Sequence, residues 1–260
     1  MPQQGTLRVL SLNIAHGRRL ARQQLLVPRD RFHANLSEVA EVLAREAPDV
    51  VALQEADGPS FWSGGFDHVE HLAELAGYPE RFRGEHNRVR LRGREVRTGT
   101  ALLARLPLGE RLSRPFAPSP PTPRKGFVVA TVPIPGDGGL CVDVVSVHLD
   151  FLRKAARRRQ VAELARELKG RGRPLIVMGD MNCWWGRRND ALPLLVEKLG
   201  VRPWEPTLRD HATFSSRRPR FRIDWVLVSP ELEFVRYETL RDTVSDHLGI
   251  VAEVRVATAA

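Results

Sequence analysis

One pattern constrains this chain more than any other: strand-like run, amphipathic helix, strand-like run, occurring twice with a polar side chain closing each strand. In the first half, residues 7–14 (LRVLSLNI) alternate and are rich in branched side chains, the signature of a strand. Residues 31–46 then place Leu36, Val39, Ala40 and Leu43 at helical spacing and stop before Pro48. Residues 50–53 form a short apolar run ending at Gln54-Glu55. In the second half, residues 142–149 (VDVVSVHL) precede a helical pattern over 153–168, with Val161, Leu164, Ala165 and Leu168 on one face. Residues 175–178 follow and stop at Gly179-Asp180. Asn13 and Glu55 close the first unit and His148 and Asp180 the second. Their separations, 42 and 32 residues, differ by one short insertion.

The rest of the chain continues the alternation. A short helix is expected over 67–76, closed by Gly77, and strands over 99–103, 126–132, 140–148, 223–229, 232–240 and 248–256. Two sheets packed face to face with helices outside would accommodate that many strands and the doubled unit. Residues 115–123 (PFAPSPPTP) read as a stiff surface loop, too short for a linker, so one domain over 1–260 is expected. Cys141 and Cys183 cannot make a disulfide framework, so stability must come from the core. No basic segment followed by an apolar stretch opens the chain, and no run has transmembrane length; a cytoplasmic protein is expected. Forty Lys and Arg against thirty-one Asp and Glu leave a charge of +9, which favours anionic partners: nucleic acid, phosphorylated metabolites or an acidic membrane surface.

The candidate chemistry sits at strand ends: Asn13, Glu55, His148, Asp180, Asn182, Asp224, Asp246 and His247. Taken singly, each has an ordinary explanation as a cap or a solvated loop residue. Together they offer what a hard divalent cation such as Mg²⁺ prefers: oxygen ligands from Glu55, the Asn13 amide and Asp246, completed by water and phosphate. Zinc is disfavoured, because the histidines lack i, i+4 spacing and the cysteines lack a paired motif.

The ordered set Leu53-Gln54-Glu55, Gly179-Asp180-Met181-Asn182, Ile223-Asp224-Trp225 and Ser245-Asp246-His247 resembles the endonuclease/exonuclease/phosphatase superfamily over residues 7–254. That resemblance implies a four-layer α/β/β/α sandwich, two packed mixed sheets with helices outside, and hydrolysis of phosphate esters with Mg²⁺ or Mn²⁺. It implies Glu55 as principal metal ligand, with Asn13 beside it and Asp246 on the metal side. Asp180 and Asn182 match the family's GDxN pair, which handles the nucleophilic water and the scissile phosphate. Asp224 resembles the carboxylate that orients His247. His148 matches the histidine of the deoxyribonuclease-I-like, sphingomyelinase-like and phosphatase-like members. The apurinic-endonuclease branch carries Asn-x-Tyr-x-Pro where this chain has Ser146-Val147-His148-Leu149-Asp150, a departure that favours the histidine-bearing branches.

Basic and aromatic residues flank these motifs. Residues 81–97 carry a net +5 and, like Arg217, Arg218, Arg220 and Arg222, read as loops leading to the site; a further run comprises Arg153, Lys154, Arg157, Arg158 and Arg159. Arg124 and Lys125, just before the strand at 126–132, are the expected phosphate contacts, and Trp184 and Trp185 are expected to stack a base or rest on lipid. His16, three residues beyond Asn13, is near the same strand end but receives no role. The expected activity is metal-dependent hydrolysis of phosphodiesters, most simply in nucleic acid. A phospholipid or phosphoinositide headgroup is the alternative substrate, and a non-catalytic phosphate-binding module the alternative class.

Overall fold

Both repeated units form as parallel strand pairs joined over a helix. In the computed structural model, which describes residues 5–91, 93–188, 190–205 and 211–257, β1 (Thr6–Asn13), α1 (Arg29–Glu46) and β2 (Val50–Gln54) make the first. The second is β7 (Cys141–His148), α3 (Lys154–Leu168) and β8 (Leu175–Asp180). Their registers correspond at the closing residues, Asn13 opposite Gln54 and His148 opposite Asp180.

Each pair nucleates a six-stranded mixed sheet. The first runs β11 (Leu232–Thr239), β12 (Ile250–Val256), β1, β2, β4 (Arg94–Ala104), β3 (Glu80–Leu91). The second runs β5 (Gly109–Pro115), β6 (Gly126–Pro133), β7, β8, β10 (Asp224–Val228), β9 (Arg202–Pro203). The strand orders superpose element for element, β12 standing to β1 as β6 stands to β7, so the sequence duplication is a structural one.

Three apolar layers hold the sandwich together. Val9, Val50, Leu102, Val128, Val144 and Val226 are among the side chains filling the space between the sheets. The opposite faces of β1 and β2 pack on α1 and α2 (His68–Ala76), and those of β7 and β8 on α3 and α4 (Ala191–Leu199). Period-two alternation sends successive residues of these strands to different layers, and both faces are apolar because both are covered. Among the described residues no helix is long and apolar enough to cross a membrane.

Three expectations change. Apart from Arg92, which lies outside the described residues, residues 81–97 belong to the β3–β4 hairpin rather than a loop, and Arg81, Arg83, Arg88 and Arg97 pair with Glu70, Asp67 and Glu95. Arg81, Arg83 and Arg88 charge the edge strand β3, where they discourage pairing with other chains. The proline-rich loop is not purely superficial: Phe116, Ser119 and Thr122 are buried, and both hydroxyls donate to Asp150. Asp150 also accepts the backbone N–H groups of Leu152 and Arg153, fixing the approach to α3. Helix α4, unanticipated from the sequence, starts at the Asp190 cap, tolerates Pro193 in its first turn and stops at left-handed Gly200.

A bulge in β3 between Glu85 and Asn87 brings His86 inward against Gly84 and Gly126, where only a bare Cα leaves room for the ring. His86 is 4% exposed and bonds Thr100 through Nε2, while Nδ1 has no partner. Burial, reinforced by Arg83, Lys125 and Arg124, pushes its pKa down to about 3. The unfolded chain takes up this proton near pH ~6.5 and the folded chain does not. Stability is therefore complete above that pH and falls on acidification toward pH 3, by at most about 1.4 kcal/mol per pH unit from this group. Urea unfolding from pH 7.5 to 5 should show a shallower loss in His86→Gln than in the wild type; equal slopes would contradict the assignment.

Candidate active site

The C-terminal ends of β1, β2, β7 and β8 point the same way, so the residues closing them meet across the sandwich. Asn13 donates from Nδ2 to Asp180 Oδ2 at 3.1 Å, joining the two sheets. Its Oδ1 accepts the Ala15 N–H, and its carbonyl accepts the Ser245 hydroxyl. A second tie lies beneath, where Gln54 donates to Ser146 Oγ and that hydroxyl donates to Leu53 O. β10 runs antiparallel to β8 with Asp224 opposite Asp180, and β12 runs antiparallel to β1. Those directions deliver Asp224 and His247 to the same end.

Asp180 is the hub. Its Oδ1 accepts the Asn182 N–H at 2.9 Å, and Oδ2 lies 3.4 Å from His148 Nε2 and 3.9 Å from His247 Nε2. The Asn182 side chain donates to Leu149 O. His247 Nδ1 donates to Asp224 Oδ2 at 2.9 Å, and that oxygen also accepts the Thr213 hydroxyl. Ligand atoms of Asp180, Asp224 and His247 lie within 4.8 Å of one another. On the first sheet's side, Glu55 Oε2 lies 3.3 Å from His16 Nε2, and Oε1 lies 3.7 Å from Lys125 Nζ. The Lys125 ammonium also donates to His148 Nδ1 at 3.3 Å, which leaves the Nε2 proton of neutral His148 facing Asp180.

Burial and partner charge oppose each other at nearly every group. Burial favours the protonated acid at Glu55, yet His16, Lys125, His148 and His247 outweigh it and hold the carboxyl below its usual range. Burial would likewise strip the proton from His247, but Asp224, helped by Asp180 and Asp246, holds it as imidazolium, well above its ordinary pKa. Burial, then the charge of Asp224, pushes Asp180 up. Burial and Lys125 drive His148 well down. The site thus presents cationic donors around one anionic carboxylate, with a second carboxylate of raised basicity opposite, an arrangement suited to a phosphate and an attacking water.

The backbone is strained where it turns these groups inward. Ala15, His16, Glu55 and Asn182 all adopt positive φ, between 48° and 51°, costing of order 1 kcal/mol each. Gly179 has φ 143°, and a Cβ there would lie 1.9 Å from Val147 O on the neighbouring strand, so Asp180 follows a position only glycine can occupy.

Not every expected contact points into this cluster. Arg124 donates its Nε to Phe116 O yet lines the same pocket as Glu55 and His148, which its neighbour Lys125 reaches directly. Asp246 is held by both terminal nitrogens of Arg18, at 2.7 and 3.0 Å. Trp185 packs on Trp225, whereas Trp184 is exposed on the rim beside Phe221, with the Arg187 guanidinium 3.7 Å above its ring. Arg222 is buried, stacked on Trp225 and Tyr237, and Arg157 is buried in a pair with Asp190. His16 and Asp57 are not identifiable as site residues from strand-end spacing; the signals for them are adjacency to Asn13 and Glu55.

The family model described as "Endonuclease/Exonuclease/phosphatase family" matches residues 10–247, which contain the whole cluster. The chain belongs to the endonuclease/exonuclease/phosphatase family. As a member it is a hydrolase of phosphoester bonds. No curated protein matches it in sequence. Among solved structures, an endonuclease/exonuclease/phosphatase protein from Beutenbergia cavernae DSM 12333 is similar at 22% identity, with a TM-score of 0.78 over 98% of this chain and 73% of that one. The Bacteroides thetaiotaomicron VPI-5482 mannosyl-6-phosphatase Bt3783 aligns at 17% identity and TM-score 0.69, covering 95% and 99%. The human Nocturnin catalytic domain, solved with bound sulfate, aligns at 19% and 0.70, covering 99% and 97%. These likenesses establish the sandwich fold of the family.

Gly179→Ala tests how tightly the strand pair positions Asp180. Urea unfolding should show a loss of about 3 kcal/mol, from the clash and the unfavourable φ together. A change within about 0.5 kcal/mol would mean that β7 and β8 part easily.

Proposed function

We propose that this family member is a divalent-metal-dependent phosphodiesterase acting on nucleic acid. The observation that carries the chemistry is the convergence of Glu55, His148, Asp180 and His247 from both sheets. The donor set fits a hard divalent ion: the half-buried Glu55 carboxylate is anionic, and among the described residues it lies beside His16 and Lys125, with oxygen lone pairs left for a metal. Glu55 would hold it, with Asn13 and Asp246 nearby. When bound, the ion supplies charge neutralisation at phosphate oxygens and the leaving oxygen.

The remaining work falls to the chain's own side chains. Asp180, fixed by Asn13 and Asn182, is set to orient the attacking water and take its proton. His247, kept protonated by Asp224, and His148, with its Nε2 proton turned inward, are set to donate to the non-bridging oxygens as charge develops there. Lys125 is placed to add a further cationic contact. Trp184 and Phe221 form an exposed ring pair under a cationic rim, and this favours a nucleic-acid base over a small phosphomonoester. Exposed Phe151 and Leu152, beside Lys125, favour the second reading, a lipid headgroup.

The test is a hydrolysis panel of plasmid DNA, RNA, sphingomyelin, phosphoinositides and bis-p-nitrophenyl phosphate, with Mg²⁺, with Mn²⁺ and with EDTA. Nucleic acid and the generic diester should turn over with metal and not with EDTA. Asp180→Asn and His247→Ala should each lose about 10³-fold or more in kcat while retaining the wild-type circular dichroism spectrum. Turnover of the lipids alone would replace nucleic acid with a headgroup. Wild-type rates in either variant would refute the residue roles, and no turnover of any diester would leave a binding module.

A further inference from the structure

The site contains two imidazoles in matching settings. His247 lies between Asp224 and Asp180; on the other sheet's side, His16 lies between Asp57 and Glu55. Asp57 is 0% exposed, and its Oδ1 accepts from His16 Nδ1 at 2.7 Å. Its other oxygen accepts the Trp62 indole N–H at 2.8 Å, and the indole in turn stacks obliquely on the imidazole, 5.1 Å between centroids. With Nδ1 committed to a buried carboxylate, Nε2 is the reactive nitrogen, and it points to Glu55 Oε2 at 3.3 Å.

The surrounding loop is pinned to keep it there. His16 sits at φ 51°, its carbonyl accepts from Gln24, and Asn35 donates to the next carbonyl, that of Gly17. A carboxylate behind one ring nitrogen, with the other aimed beside an anionic ligand oxygen, is the arrangement by which proteins orient an imidazole toward a metal and raise its basicity. Arg18 takes Asp246 Oδ2, and the Ala15 N–H takes one lone pair of Asn13 Oδ1, so His16 Nε2 adds a donor to those that Asn13 and Asp246 retain.

We infer that His16 Nε2 is a metal ligand, completing with Glu55 Oε2 a mixed nitrogen–oxygen site, and that Asp57 is its positioning residue. This rests on the metal-dependent reading above. A nitrogen ligand shifts preference from Mg²⁺, which favours oxygen, toward Mn²⁺ and later divalent metals.

Pulsed electron paramagnetic resonance of the Mn²⁺-loaded protein reads the ligand directly. The wild type should show ¹⁴N modulation from a bound imidazole, retained in His148→Gln and His247→Gln and lost in His16→Gln. His16→Gln should bind Mn²⁺ about 10–100-fold more weakly with little change for Mg²⁺, and Asp57→Asn should weaken Mn²⁺ binding while keeping the nitrogen signal. Mn²⁺ bound to the wild type without nitrogen modulation, or modulation surviving in His16→Gln, would overturn the inference and leave metal dependence standing. A wild type that binds no Mn²⁺ would bring down both.

Discussion

The hydrogen bond from the Asn13 amide to the Asp180 carboxylate is the constraint around which the site is organised. It is 3.1 Å long, buried, and made between the last residues of β1 and β8, central strands of two different sheets. A sandwich of this kind leaves its sheets free to slide, because apolar packing between them is non-directional. A charge-assisted hydrogen bond is directional. With the Gln54–Ser146 tie below it, this bond sets how the ends of β1 and β2 sit against those of β7 and β8. The residues of the candidate site are then placed by register: Glu55 one residue past β2, His148 beside Asp180, and Asp224 across from it.

Burial alone would neutralise such a site. Each charged side chain instead keeps its state through a partner contributed by a different element, so the protonation pattern is a consequence of the fold. His247 depends on Asp224 at the start of β10, and Glu55 depends on His16 from the loop after β1 and Lys125 at the approach to β6. Left-handed backbone at His16, Glu55 and Asn182 costs stability locally and is held by the apolar layers on either side. Strain and mutual charge support are concentrated where chemistry requires groups to face one another.

Much of this was readable from the sequence, for a physical reason. Buried parallel strands appear as apolar runs, and a polar residue directly after such a run is either a cap or a member of a site. The ordered set of motifs at 53–55, 179–182, 223–225 and 245–247 makes the second explanation the stronger one. The β3–β4 hairpin was missed because its edge is arginine-rich, and ion pairing to Glu70, Asp67 and Glu95 left no apolar alternation to detect. Lys125 and Arg124 are adjacent on an extended chain, so their side chains diverge, and composition alone could not say which faces Glu55. His16 lies on a loop whose left-handed turn has no periodicity to read, and its partner Asp57 is 41 residues away. Arg157, read as part of a basic run, and Arg222, read as part of a loop leading to the site, are instead buried, received by Asp190 and by the Trp225 and Tyr237 rings.

A double-mutant cycle between Asn13 and Asp180, measured by urea unfolding of Asn13→Ala, Asp180→Ala and the pair, examines the inter-sheet bond itself. If that bond fixes one sheet against the other, the two losses should be non-additive by about 1 kcal/mol or more, since removing either partner strands the other in the interior. Losses that add within about 0.3 kcal/mol would show that the sheets are aligned by other contacts and that the amide and carboxylate are merely neighbours.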